Sequence, residues 1–320
     1  GASSNCPPHL TAIARHMGID FGIDNWEKLG HDIPLLVNCQ PAGEHLMEGF
    51  FKAGGIPAIM QELMKNNKLH KDLMTVTGKT IAENLIEKID IDENIIKSFK
   101  NPLVNNAGFI VMKSNFFNSA VMKTSVISSE FRKRYLSNPT SLNLFEANAV
   151  VFEGPEDYHL RINDESLNID ENSILMIRGC GPVGYPGSAE VVNMQPPDKL
   201  LKQGINTLPT LGDGRQSGTS ESPSILNVSP ESAIGGSLLI VETGDKIKID
   251  LNNSRIDLMI SSEEIEKRRK KVKIQKLENQ TPWQEISRKM VGQLETGACL
   301  ETESLYLDIT NTKGMPRHSH

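Results

Sequence analysis

The stretch "SLLIVETGDKIKIDLNNSRIDLMIS" (Ser237 to Ser261) decides how the second half of the chain is read. Lys246, Lys248 and Asp250 alternate with Ile247, Ile249 and Leu251, the two-residue period of a half-buried strand. "TGD" and "NNS" are turn signals on either side of it. Upstream, "ANAVVFEG" and "SILMIRG" are β-branched runs of the same kind, so the chain turns β-rich from about residue 147. Downstream come two helices. "SSEEIEKRRKK" opens with the Ser-x-x-Glu spacing of a capping box. In "TPWQEISRKMVGQL", Thr281, Pro282 and Gln284 stand in N-cap, first-turn and capping-box positions.

The first 100 residues read as mostly helical. In "HLTAIARHMG", Leu10, Ile13, Ala14 and Met17 recur at i, i+3, i+4 and i+7, and Gly18 sits where a C-cap glycine belongs. An amphipathic helix so near a terminus needs something to pack on, and the expectation is that this sequence is the second part of a longer protein. "IPLLVN" (Ile33 to Asn38) is compatible with a buried strand, and "IPAIMQELMKNN" restarts a helix with Pro57 in its first turn. "TVTGKTIAENL" is a strand-to-helix turn, and a strand is expected near Phe109 to Met112. Residues 128–146 are polar and irregular, the expected crossing between domains. No internal repeat or low-complexity segment interrupts the chain.

Composition sets the outer bounds. At 320 residues, 38% hydrophobic and 23% charged, the chain can bury a sizeable core. Thirty-four basic against 40 acidic residues give a formal charge of −6, which disfavours a general nucleic-acid-binding surface. The one basic cluster, Lys267 to Lys271, reads first as a solvated helix face. Cys6, Cys39, Cys180 and Cys299 are scattered, with no Cys-x-x-Cys pair and no disulfide framework. With no apolar run of membrane length and no visible signal peptide, the cytoplasm is the expected location.

Three motifs invite chemistry. "TVTGKT" resembles the end of a phosphate-binding loop, but the residue where that loop needs its first glycine is Leu73. "GDGRQSG" misses the dinucleotide fingerprint at Ser217, where glycine is required, and the nucleophile elbow at Arg215. What remains is a loop whose glycines expose N–H groups and whose Ser217 and Thr219 offer hydroxyls. Asp213 and Arg215 are expected to pair across it. By itself it is either a structural turn or a ligand loop. "GCGPVGYPGSAEVVNM" (Gly179 to Met194) is a second glycine-rich loop, and its Glu190 is either a solvated carboxylate or a hard oxygen ligand of the kind Mg²⁺ prefers. The tail "PRHSH", with Arg317, His318 and His320, is either a frayed end, even a purification remnant, or a cationic tail closing over a carboxylate substrate.

Taken together, "GASSNCPPHLTAIARHMGI", "LLVNCQPAGEHLMEGFFKAGGIPAIMQEL", "TVTGKTIAEN", "GPVGYPGSAEVVNM", "LGDGRQSGTSESPSILNVSPESAIGG" and "SSEEIEKRR" resemble, in order, the dihydroxy-acid and sugar-acid dehydratases. "SSNCPPH", "GDGRQSGTS", "TPWQE" and "PRHSH" are closer to the aldonate branch, the arabinonate and xylonate dehydratases. The branched-chain amino-acid enzymes show a different loop, so Gln216 and the tail set the dihydroxy-acid dehydratase aside as the alternative. A non-catalytic remnant or binding module is the alternative from another class.

The resemblance implies an α/β fold class: the mostly helical end of an α/β N-terminal domain (1–127), a linker (128–146), and a β-barrel-like C-terminal swivel domain with flanking helices (147–320). It implies a hydro-lyase that removes water from an aldonic acid, giving a 2-keto-3-deoxy acid. Loss of the carbon-two proton builds charge next to a carboxylate, which Mg²⁺ stabilises, and an iron–sulfur cluster, of 2Fe-2S type, acts as Lewis acid on the carbon-three hydroxyl. By position, Ser217 is the base, Thr219 its hydrogen-bonding partner, and Glu190 a Mg²⁺ ligand. Arg215, His318 and His320 are assigned to the sugar-acid substrate. The family's cluster cysteines and remaining Mg²⁺ ligands lie upstream of Gly1, so the four cysteines here are expected to be structural and the chain alone inactive. The family's dimers or tetramers imply a homo-oligomer.

Overall fold

A computed structural model describes residues 1–217, 223–274 and 277–314. The chain divides into two compact units. One comprises Gly1, 31–108 and 124–126; the other comprises 2–30, 109–123 and 127–320.

In the first unit, helices Met47–Lys52 and Gly55–Lys65 pack a small core of Cys39, Phe50, Ala53, Ala58, Ile95 and Ile96. Gly54, at φ +112°, makes the turn between them, a conformation that favours glycine. "IPLLVN" is extended but forms only isolated bridges, Leu35 to Val104 and Val37 to Ile96. "TVTGKT" closes as an exposed turn, bridged Met74 to Thr80, before a short helix Ile81–Asn84. Thr80 caps that helix, accepting from the Glu83 N–H while Glu83 accepts from the Thr80 N–H.

The second unit is built on a closed barrel. Among the described residues its strands are β1 (Phe109–Ser114), β2 (Ser119–Lys123), β3 (Leu144–Phe152), β4 (Ser173–Ile177), β5 (Thr210–Gly212), β6 (Ser224–Ser229), β7 (Lys246–Asp250) and β8 (Arg255–Leu258). They run in the order β1-β2-β6-β5-β4-β3-β7-β8, with β8 closing parallel onto β1. β3, β4, β5 and β6 form a parallel run, and the pairs β1–β2, β2–β6, β3–β7 and β7–β8 are antiparallel.

Alternation explains closure. Alternate residues of β1, β3, β4 and β7 join one buried cluster: Ile110 and Met112, Ala147, Ala149 and Val151, Ile174 and Met176, and Ile247 and Ile249. Cross-strand pairs Ile247–Leu258 and Ile249–Ile256 keep inward residues opposite inward residues. The other face of β3, β4 and β6 contributes Val150, Phe152, Leu175, Ile177 and Leu226 to a second cluster. Helix Pro155–Arg161 covers part of it, with Tyr158 edge-on to Phe152 at 5.4 Å.

Four expectations change. The barrel begins at Phe109, so β1 and β2 precede the expected boundary, and the helix Cys6–His16 groups with the barrel unit. Residues 128–146 are not a bare linker: Phe131 and Leu136 enter the barrel core. "SLLI" (Ser237–Ile240) is a 3-10 helix rather than a strand, preceded by the tight turn at Gly235 and Gly236. The basic run is also more than a solvated face, because Arg268 is held by Asp245 at 2.5 and 3.1 Å and by the Ile240 carbonyl at 3.0 Å. No helix among the described residues is long and apolar enough to cross a membrane.

Met176 has no exposed surface and sits in the barrel cluster. Met176→Ala is expected to cost about 2–5 kcal/mol, read as a lower urea midpoint with native-like circular dichroism; an unchanged midpoint would contradict the barrel interior described.

Candidate active site

The two glycine-rich loops are organised by two buried carboxylates. Asp213 follows β5 directly and has no exposed surface. Its Oδ1 accepts from the Cys180 N–H at 2.9 Å. Its Oδ2 accepts from the N–H groups of Gly179 (3.1 Å) and Ser232 (2.9 Å) and from the Ser232 hydroxyl (2.5 Å). Glu231, 1% exposed, accepts from the N–H groups of Val183 and Gly184 and from the Gln293 amide at 2.8–3.2 Å. Arg288 grips the same segment from its carbonyl side, donating to Val183 at 2.9 Å. Burial pushes the Glu231 carboxyl up from the usual range, and the N–H donors pull it partly back.

Close approach explains two glycines. A Cβ at Gly214 would stand 2.8 Å from Cys180 Cβ and 2.9 Å from the Ala189 carbonyl, and a side chain at Gly181 would run into Glu231. The loops are then zipped backbone to backbone on either side of Glu190. The Arg215 N–H donates to the Ala189 carbonyl at 3.0 Å, and the Val192 N–H donates to the Arg215 carbonyl at 3.2 Å.

The expected Asp213–Arg215 pair is not formed, because Asp213 is consumed by its four donors. Arg215 turns instead to the Ser188 carbonyl (2.9 Å), the Gly187 carbonyl (3.2 Å) and Asn5 Oδ1 (3.1 Å), with Nη1 3.6 Å from Glu190 Oε1. Asn5 Nδ2 donates to Glu190 Oε1 at 2.6 Å and to the Gln216 carbonyl at 3.3 Å, and Ser4 Oγ donates to that carbonyl at 3.4 Å. Glu190, Arg215 and the backbone leading into Ser217 are thus brought together, with Ser217 itself half-buried. Thr219, His318 and His320 lie outside the described residues.

Glu190 fits a cation ligand in part. Its side chain is 39% exposed, Oε1 is held by Asn5, and Oε2 takes no hydrogen bond among the described residues. A ligating carboxylate steadied by an outer hydrogen bond is the common arrangement, and Mg²⁺ often takes only one or two protein carboxylates. No group of three or more His, Cys, Asp or Glu among the described residues is arranged to hold a metal ion. Cys39, Cys180 and Cys299 are buried; burial, followed by the charge of Asp213, raises the Cys180 thiol far above the ordinary range. A cavity of about 310 Å³ meets this site at Ser188 and Arg215, with Pro8, His9, Pro182 and Leu294 among its other walls.

Sequence reasoning missed Asn5, Glu231 and Lys123. Lys123, at the end of β2, is 5% exposed, and burial holds its ammonium below the usual lysine range while Cys6 acts in the opposite sense. Only Asn5 left a signal. Pro7 and Pro8 occupy the two positions whose N–H groups an N-cap asparagine normally binds, which leaves its side chain for other work.

Asp213→Asn would set an NH₂ group against N–H donors and is expected to cost at least about 3 kcal/mol, measured by urea denaturation; a parent-like midpoint would contradict the anchoring role.

Residues 1–84 match the family described as dihydroxy-acid/6-phosphogluconate dehydratase N-terminal, and residues 94–298 match its C-terminal counterpart. The chain is 54% identical over 320 residues to the D-xylonate dehydratase of Caulobacter vibrioides, covering all of this chain and 53% of that protein. It is 41% identical over 269 residues to the L-arabinonate dehydratase of Rhizobium leguminosarum bv. trifolii (84% of this chain, 45% of that one). Against a dihydroxy-acid dehydratase of Clostridium kluyveri the identity is 36% over 303 residues, 94% of this chain and 52% of that one. The chain spans about half the length of these curated relatives. It belongs to the dihydroxy-acid/6-phosphogluconate dehydratase family.

Proposed function

We propose that this chain is the C-terminal part of a sugar-acid dehydratase, a hydro-lyase converting an aldonic acid to a 2-keto-3-deoxy acid. The observation that carries the reading is the convergence of Glu190, Arg215 and the Gln216 carbonyl on Asn5, immediately before Ser217. Elimination needs a base at carbon two and stabilisation of the charge that develops next to the carboxylate.

Ser217 Oγ takes the carbon-two proton. A serine hydroxyl is a weak base at neutral pH, so it needs positive charge or N–H dipoles close by. The glycine-rich backbone keeps those N–H groups near the reacting carbon, and Glu190 would contribute one oxygen to a Mg²⁺ ion. Bound there, the ion would supply stabilisation of the enolate charge. Arg215 fixes the second loop through the Gly187 and Ser188 carbonyls, and its charge favours an anionic substrate. The cluster expected for this chemistry would be held by residues outside this chain. The full-length protein is proposed to be a homo-oligomer in the cytoplasm, carrying a 2Fe-2S cluster.

The test uses full-length protein with D-xylonate and L-arabinonate, following 2-keto acid formation. Ser217→Ala is expected to lower kcat by about 10²–10⁴-fold with unchanged thermal stability; full activity of that variant would remove Ser217 from the base role. Turnover of a branched dihydroxy acid alone would favour the dihydroxy-acid dehydratase instead, and no turnover of either class would favour a non-catalytic remnant.

A further inference from the structure

Asn5 stands directly before helix Cys6–His16, yet makes no capping bond to it. An asparagine there ordinarily accepts from the second or third helical N–H. Those positions are Pro7 and Pro8, which have no N–H to give. The side chain is instead turned to segments 185 and 210–211 residues away in sequence: Nδ2 donates to Glu190 Oε1 and the Gln216 carbonyl, and Oδ1 accepts from Arg215. One neutral amide thereby ties both glycine-rich loops to the start of the helix.

We propose that Asn5 is a positioning residue for divalent-cation binding at Glu190. This rests on the reading of Glu190 as a cation ligand given above. A glutamate side chain has several rotatable bonds, and an ion binds it more tightly when its rotamer is already fixed. Asn5 fixes Oε1 at 2.6 Å, while Arg215 places its positive charge 3.6 Å from that same oxygen. A cation is repelled from the Arg215 side and takes Oε2, which is free of hydrogen bonds among the described residues. The residue type follows from charge. An aspartate at position 5 would set two carboxylates against each other, and a lysine would neutralise the ligand, whereas an amide donates without competing for the ion.

The experiment titrates full-length protein with Mn²⁺ as probe, following the electron paramagnetic resonance signal of the free ion, alongside turnover at each Mn²⁺ concentration. Asn5→Ala is expected to weaken Mn²⁺ binding by about 10–100-fold and to recover turnover at saturating Mn²⁺, which the loss of a merely structural contact would not do. Asn5→Ser covers the case in which the alanine variant does not fold, since its hydroxyl is too short to reach Glu190, and it should show the same loss. Glu190→Ala separates the two claims. If Glu190→Ala abolishes binding while both Asn5 variants bind as the parent does, the positioning role is overturned and the ligand reading stands. If Glu190→Ala binds Mn²⁺ as the parent does, the ligand reading fails and the proposal with it.

Discussion

Asp213 is an ionisable side chain with no contact with water, and burying a carboxylate is costly unless donors replace its hydration. Here the donors come from Gly179, Cys180 and Ser232, three points on two other segments. The chain leaving β5 is therefore fastened to the chain leaving β4 and to the turn after β6. Glu231 repeats the device on Val183 and Gly184. Between these two anchors the second glycine-rich loop has little freedom, and Glu190 projects from the part of it that is zipped to Arg215. Everything proposed about chemistry depends on that fastening, because a loop of glycines left to itself would not hold a ligand in one place.

The barrel explains why such anchors fall where they do. Four strands, β3 to β6, run parallel, so their C-terminal ends lie at one rim, and the loops leaving β4 and β5 start there. In parallel arrangements the segments following the strands are where sites are commonly built, since the scaffold below is rigid and the loops vary. The inward residues fill the interior with aliphatic side chains and methionine, so the rim rather than the lumen is available for polar groups.

How far the sequence could be read follows from which interactions are local. The strict alternation in β7 and the β-branched runs of β3 and β4 were legible because period and propensity agree there. The caps at Ser261 and Thr281 were legible because capping acts over three residues. β2, β5 and β6 were not. β5 is three residues long, and β6 holds Ser224, Asn227 and Ser229, all buried, which erases the polar alternation on which a strand reading depends. Within the candidate site, Glu190 and Ser217 are pointed to by resemblance along the whole chain and by no single motif. Nearness in sequence points Asp213 to Arg215, two residues away, whereas its donors lie 19 to 34 residues off. Asn5 meets Glu190 across 185 residues, a contact that only the closed fold creates.

The most direct test of the account is a crystal structure of the full-length protein with Mg²⁺ and an aldonate bound. The account predicts the ion at coordination distance, about 2.1 Å, from Glu190 Oε2, with Oε1 still bonded to Asn5 and the Ser217 hydroxyl within hydrogen-bond reach of the substrate's second carbon. An ion and substrate bound with Glu190 uninvolved and Ser217 remote from that carbon would contradict it.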